Sequence, residues 1–218
     1  MTTGVTDVHP RSEGTRDDER KMMVALSERD ARARLRDLQR SRACTGRPFI
    51  LGIVGPPGVG KSTFAASLQV QVLEMDGFHL DNEQLDRRGT RERKGAPETF
   101  DVDGYASVLD RVRRGRDVFA PRFDRERDES IAGVCSLDGS ATVLVTEGNY
   151  LLHDRDGWEA VAPLLDESWY LEVPEPVRRN RLVARHRRFG RTPEDADAWA
   201  RDIDGANAAI VRSTRPRA

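Results

Sequence analysis

Phe49-Ile50-Leu51-Gly52-Ile53-Val54 runs directly into Gly55-Pro56-Pro57-Gly58-Val59-Gly60-Lys61-Ser62. A short apolar run without alternation fits a strand buried on both faces. The pattern G-x-x-x-x-G-K-[ST], after such a strand and before a helical pattern, fits a loop built to bind phosphate. Gly55, Gly58 and Gly60 let the backbone turn so that successive N–H groups point inward, and the N-terminus of the following helix adds partial positive charge. Lys61 is expected to reach the β- and γ-phosphates of a nucleoside triphosphate, and Ser62 to hold Mg²⁺. Pro56, Pro57, Val59 and Thr63 complete the predicted contact set.

Three further apolar runs read as strands: 70–75, 141–146 and 169–173. Helical patterns lie between and after the four, at 62–69, 102–114, 156–165 and 177–188. Such alternation predicts a doubly wound α/β domain with a mainly parallel sheet. At 218 residues one core is expected, over 46–218. Residues 1–20 show no hydrophobic periodicity and are expected to form a disordered tail. Met22, Met23, Leu26, Leu35 and Leu38 among charged neighbours predict an amphipathic helix within 21–45.

Thirty-six Lys and Arg against 37 Asp and Glu give a formal net charge of -1, which disfavours nucleic acid as the main partner. No run reaches the roughly 18 apolar residues that span a bilayer, and the N-terminus lacks the apolar stretch of a signal peptide. A cytoplasmic protein without a membrane partner is the expectation. Cys44 and Cys135 form no C-x-x-C pair and read as ordinary thiols.

The acids decide what kind of nucleotide protein this is. Met75-Asp76-Gly77-Phe78-His79 closes the second strand, at the carboxyl end where ligands of open α/β sheets collect. There Asp76 can accept the proton of an attacking hydroxyl, although position alone leaves a capping role equally open. Glu147 closes the third strand in Thr146-Glu147-Gly148-Asn149-Tyr150 and stands where an acid can orient Mg²⁺ or its waters. No N-K-x-D guanine signature occurs. In the 177–188 helix Arg181 and Arg185 are four apart, so one face can aim two guanidinium groups at developing phosphoryl charge.

The phosphate loop, MDGFHL, RKGAPETFD (93–101), APRFD (120–124) and EGNYLL together resemble the superfamily of uridine kinase, type I pantothenate kinase and phosphoribulokinase, over about residues 47–212. The resemblance implies a P-loop NTPase fold, three-layer α/β/α, with a helical lid near 177–195. Asp76 matches the family's catalytic base, residues 79–101 its acceptor flap, and Arg185, with Arg181 close behind, the phosphate-facing lid residue; Lys61 belongs with Asp76 and Arg185 in the catalytic set. Within and opposite the flap, His79, Arg93, Lys94, Phe100, Arg122 and Phe123 are acceptor candidates, and Asn207 resembles an Asn near the pantothenate pocket. For His79, packing beside Asp76 is the plainer reading.

The expected activity is transfer of the γ-phosphoryl group of ATP, with Mg²⁺, to a hydroxyl of a small metabolite: a sugar, a nucleoside or a pantothenate-like acceptor. Pantothenate itself is the sharper rival, and an ATPase switch acting on a protein partner the distant one. A homodimer is the open expectation for assembly. Two departures from the family pattern stand out. Only 15 positions separate Lys61 from Asp76, which demands a short helix after the loop. The sequence also ends near Arg215, about where relatives begin a further strand, so a sheet lacking one edge strand is expected.

Overall fold

The structure, a computed structural model, describes residues 4–10, 25–42 and 47–218. Among the described residues, eight strands and six α-helices follow one another: β1 (Gly4–Pro10), β2 (Ala25–Leu26), α1 (Glu28–Arg42), β3 (Phe49–Val54), α2 (Lys61–Ser67), β4 (Gln71–Glu74), α3 (Asn82–Arg88), α4 (Val102–Arg113), β5 (Val118–Asp124), β6 (Glu129–Leu137), β7 (Val143–Gly148), β8 (Glu167–Glu172), α5 (Glu175–Arg188) and α6 (Pro193–Ser213).

The main sheet has the order β2-β1-β8-β3-β7-β4. β8, β3, β7 and β4 are mutually parallel, as expected, while β1 and β2 join antiparallel at the β8 side. Strand β3 alternates between two cores. Ile50 and Val54 pack with α4 residues Tyr105, Val108 and Leu109 on one face. Phe49, Leu51 and Ile53 pack on the other with α1 residues Ala31, Leu35 and Leu38 and α2 residues Phe64 and Ala65. This is a three-layer α/β/α arrangement with the phosphate loop at the carboxyl end of the central strand. No described helix is long and apolar enough to cross a membrane.

Several expectations change. Gly4–Pro10, read as part of a disordered tail, is a strand on the outer edge of β8; backbone pairing needs no hydrophobic periodicity. The remainder of 1–20, with Met22, Met23 and Cys44, lies outside the described residues. α1 starts at Glu28 because Ser27 caps it, its Oγ accepting from the Asp30 N–H at 3.2 Å. Residues 156–165 form two 3₁₀ turns, Trp158–Ala160 and Ala162–Leu164, since Pro163 offers no N–H to continue a helix. α3, the β5–β6 hairpin and the 21-residue α6 had no counterpart in the reading of apolar periodicity. The tight span to Asp76 is met as required: α2 has only seven residues, and Gln69 turns the chain at φ 56.

Candidate active site

The carboxyl ends of β3, β4 and β7, with α5, α6 and the hairpin, enclose a cleft of about 750 Å³. Its floor is the phosphate loop. Lys61, at the first position of α2, is buried and donates to the carbonyls of Gly55 at 2.8 Å and Pro56 at 3.3 Å and to Asn149 Oδ1 at 2.7 Å. Burial pulls its pKa down, against the carboxylates of Glu147 and Asp76, which favour the ammonium. Gly58 has φ +84, and a Cβ there would lie 2.8 Å from Leu182 Cγ and 2.9 Å from the Arg178 carbonyl oxygen. Only glycine lets α5 lie this close to the loop.

The α5 contact is polar as well. Buried Arg178 donates to the Pro57 carbonyl at 3.1 Å, and Arg181 to that of Val59 at 2.9 Å. The first turns of the expected lid therefore rest on the loop, while Arg181 and Arg185 also line the cleft. Burial lowers the pKa of Arg185, and Arg125 adds to that shift. Beyond it, His186 meets Asp204 of α6 at 2.6 Å, and the Arg191 guanidinium lies 3.7 Å from the Trp199 ring centroid.

Ser62 Oγ donates to Glu147 Oε1 at 2.8 Å. Glu147 is buried at the end of β7, and burial pushes its carboxyl up to about 7 despite the pull of Lys61 and the Ser62 hydrogen bond. Among the described residues no group of three or more His, Cys, Asp and Glu gathers to hold a metal. A hydroxyl and one carboxylate are the oxygen donors a Mg²⁺ shared with nucleotide phosphates and water requires. The set fits that ion, and the satisfied, cation-lined loop beside it fits the phosphates.

Asp76 lies in the 3₁₀ turn Met75–Phe78 that follows β4. Its Oδ2 accepts from Arg125 Nη2 at 2.6 Å. Burial raises its pKa, but Arg125, His79, Lys61 and Arg185 together outweigh that and hold it at about 2. The hairpin that carries Arg125 is seated by the neighbouring glycine, since a Cβ on Gly77 would come within 2.4 Å of the Pro121 carbonyl oxygen. His79 packs between Phe100, at 4.1 Å between ring centroids, and Phe123, at 4.7 Å, and its Nδ1 lies 2.8 Å from the Asp76 carbonyl oxygen. Lys94 Nζ donates to Asn82 Oδ1 and to the Asp128 carbonyl at 2.7 Å each, and to Asp128 Oδ2 at 2.8 Å. Asn207 is buried and donates to the Gly95 carbonyl at 3.2 Å, which also accepts from Tyr150 OH at 2.6 Å.

His79, Lys94, Phe100, Phe123 and Asn207 thus line the cleft together with Asp76, Lys61, Ser62, Thr63 and Glu147. Arg93 and Arg122 do not. Arg93 points outward to Glu98 at 2.8 Å, its side chain 64% exposed. Arg122 neighbours Phe123 on β5 and so faces the other side of that strand, where it acts on Cys135. Pro57, Gly58 and Gly60 line the cleft, while Gly55, Pro56 and Val59 contribute backbone carbonyls to Lys61 and Arg181. Arg125 and Asn149 were missed. Asn149 was recoverable, because two residues past Glu147 on an extended chain restores the same side. Arg125 sits among Arg and Asp in Asp124-Arg125-Glu126-Arg127-Asp128, where nothing in the pattern selects it.

No protein-family model matches the sequence. The ATP-dependent kinase-like protein notR' of Aspergillus versicolor is 35% identical over 154 residues, covering 65% of this chain and 90% of that protein. A crystal structure from Silicibacter sp. TM1040, provisionally named a fructose transport system kinase, matches with a TM-score of 0.78 at 35% identity, covering 87% of this chain and 95% of that one. The chain belongs to the P-loop small-molecule kinases. Its relatives include a Schizosaccharomyces pombe protein provisionally named a uridine kinase, and pantothenate kinases, so the kinase is an ATP-dependent phosphotransferase acting on an alcohol group of a small molecule. It is 33% identical to the pantothenate kinase of Enterococcus faecalis over 150 residues but spans only 49% of that protein.

Proposed function

We propose that the kinase binds ATP and Mg²⁺ through residues 55–63 and Glu147 and transfers the γ-phosphoryl group to a hydroxyl of a sugar, nucleoside or pantothenate-like metabolite, with Asp76 as the base. The acceptor oxygen forms its bond to the γ-phosphorus as the bond to the β–γ bridging oxygen breaks. ADP leaves with that electron pair, and the hydroxyl proton passes to Asp76. Lys61, Arg181 and Arg185 face the oxygens on which charge is spread, and Mg²⁺ supplies further neutralisation when bound. In a loose transition state the proton departs late, so the base must above all be ionised and held at the acceptor hydroxyl.

One observation carries this reading. Asp76 and Lys61 line one cleft and perturb each other's ionisation, as expected of a base and a phosphate ligand sharing a reacting centre. His79, Phe100 and Phe123 offer the acceptor an aromatic wall, with Lys94 and Asn207 beside it. The reading keeps a small molecule rather than nucleic acid as partner, the cytoplasm as compartment and a homodimer as assembly. Its test is a mass-spectrometric screen of sugars, nucleosides and pantothenate with ATP and Mg²⁺. An acceptor heavier by one phosphate, in step with ADP, supports it. ADP with free phosphate alone, whatever the acceptor, would instead make the protein an ATPase switch.

A further inference from the structure

The phosphate side of the cleft already has its cations in Lys61, Arg181 and Arg185. Arg125 comes from the opposite side, on the turn between β5 and β6, next to the aromatic ring of Phe123. Among the described residues its one salt bridge is to Asp76, at 2.6 Å, with the two side chains 38% and 25% exposed. The neighbouring cation Lys94 is committed to Asp128 and Asn82, and the nearby acid Glu126 lines the same mouth. Arg125 is therefore the hairpin guanidinium bonded to the group that must receive the acceptor's proton. Arg125 holds Oδ2, and an arriving hydroxyl that takes the same oxygen displaces it. The released guanidinium, its side chain 38% exposed, is only partly solvated, so an anion that reaches it gains a charge-assisted partner able to bind in bidentate fashion.

We propose that the acceptor carries an anionic group, a phosphate or a carboxylate, and that Arg125 is the specificity-determining residue that reads it, exchanging Asp76 for that group when the acceptor binds. The proposal rests on Asp76 being the base. Until the exchange, Asp76 is tied and its proton affinity is held low, so water is poorly activated in its place. Hydrolysis would follow the same balance as transfer: the water oxygen bonds to the γ-phosphorus, ADP leaves with the bridging electron pair, and Asp76 takes the proton.

The test compares the parent, Arg125→Gln and Arg125→Lys in two measurements. The first is ADP release from ATP and Mg²⁺ without any acceptor. Arg125→Gln should raise it about three- to tenfold, since a paired carboxylate regains basicity when its partner is removed, and Arg125→Lys, which keeps a cation beside Asp76, should raise it less than Arg125→Gln does. The second uses matched acceptors, pantothenate against pantothenol and ribose 5-phosphate against ribose. The parent should favour the charged member of any pair it turns over by about tenfold or more, and Arg125→Gln should bring that ratio towards one. Unchanged or slower hydrolysis in Arg125→Gln overturns the proposal, as does a parent preference for the neutral members. Where no pair is turned over, the hydrolysis result decides. Lys61→Ala separates the two levels: if it leaves ADP release unchanged, the phosphate site itself has been misread, whatever Arg125 does.

Discussion

The two halves of the cleft are built in different ways. On the phosphate side the partners of Lys61, Arg178 and Arg181 include the backbone carbonyls of Gly55, Pro56, Pro57 and Val59, and Gly58 lets α5 lie against the loop. On the acceptor side the contacts join side chains from turns, a short helix and the hairpin: Arg125 to Asp76, Lys94 to Asn82 and Asp128, His79 between Phe100 and Phe123, with Gly77 seating the hairpin. Phosphate is common to every ATP reaction, and a frame built largely of backbone serves it with few obligatory side chains, Lys61 foremost. Acceptor recognition has to vary between relatives, and loops and hairpins can vary without disturbing the sheet.

The contrast can be broken in several ways. The largest effect is expected from Lys61→Ala, which removes the ammonium at the centre of the phosphate side: ATP affinity should fall and transfer drop by about 10³ or more. Equilibrium nucleotide binding and turnover check both. A matched pair of glycine variants comes next. Gly58→Ala puts a Cβ on a residue at φ +84 and against α5, costing about 1–2 kcal/mol in backbone strain alone and weakening ATP binding. Gly77→Ala meets the Pro121 carbonyl, so it should displace the hairpin and raise the acceptor KM about tenfold while leaving ATP affinity nearly unchanged. Equal effects of the two on ATP would erase the division between the halves.

A smaller effect concerns pH. Burial raises the Glu147 carboxyl to about 7, so the folded protein holds a proton there that the unfolded chain has released above about 4.5. The stability from that proton is present below about pH 4.5 and is lost as pH rises to about 7. On the proposed reading, binding of Mg²⁺ and ATP needs the ionised form, so calorimetry at pH 6 in buffers of different ionisation enthalpy should show about one proton released, and Glu147→Gln should remove that release. The smallest effect is predicted for Arg93→Ala and Arg122→Ala, which lie off the cleft: stability within about 0.5 kcal/mol of the parent and unchanged KM for both substrates.

The same division governs how much was legible in the sequence. The phosphate side follows from local pattern: β3, the loop and α2 are contiguous, and Glu147 closes an unmistakable apolar strand. Even the short α2 followed from the distance between Lys61 and Asp76. The acceptor side depends on contacts between residues far apart in the chain. Asp76 and Arg125 are separated by 49 positions, and the charged turn gives no reason to choose Arg125 over Arg127. β6 buries only Leu137, and the stripe that α6 buries is made of Ala196, Ala200, Ala208 and Val211 with Asp204 and Asn207, so neither carries a strong apolar pattern. Resemblance proposed the flap, but which of its cations turns inward, Lys94 rather than Arg93, depends on how the 3₁₀ turn Arg91–Arg93 ends.

The central claim is that Asp76 receives the acceptor's proton while the phosphate half works independently of it. Asp76→Asn keeps the size of the side chain and an oxygen facing Arg125, but it cannot take a proton. Nucleotide affinity and acceptor phosphorylation should be measured on one preparation, with the acceptor identified by the screen. The account predicts ATP affinity within about twofold of the parent and transfer lower by about 10² to 10⁴, the usual worth of a general base. Transfer at the parent rate would make Asp76 a structural anchor for the hairpin and contradict the mechanism.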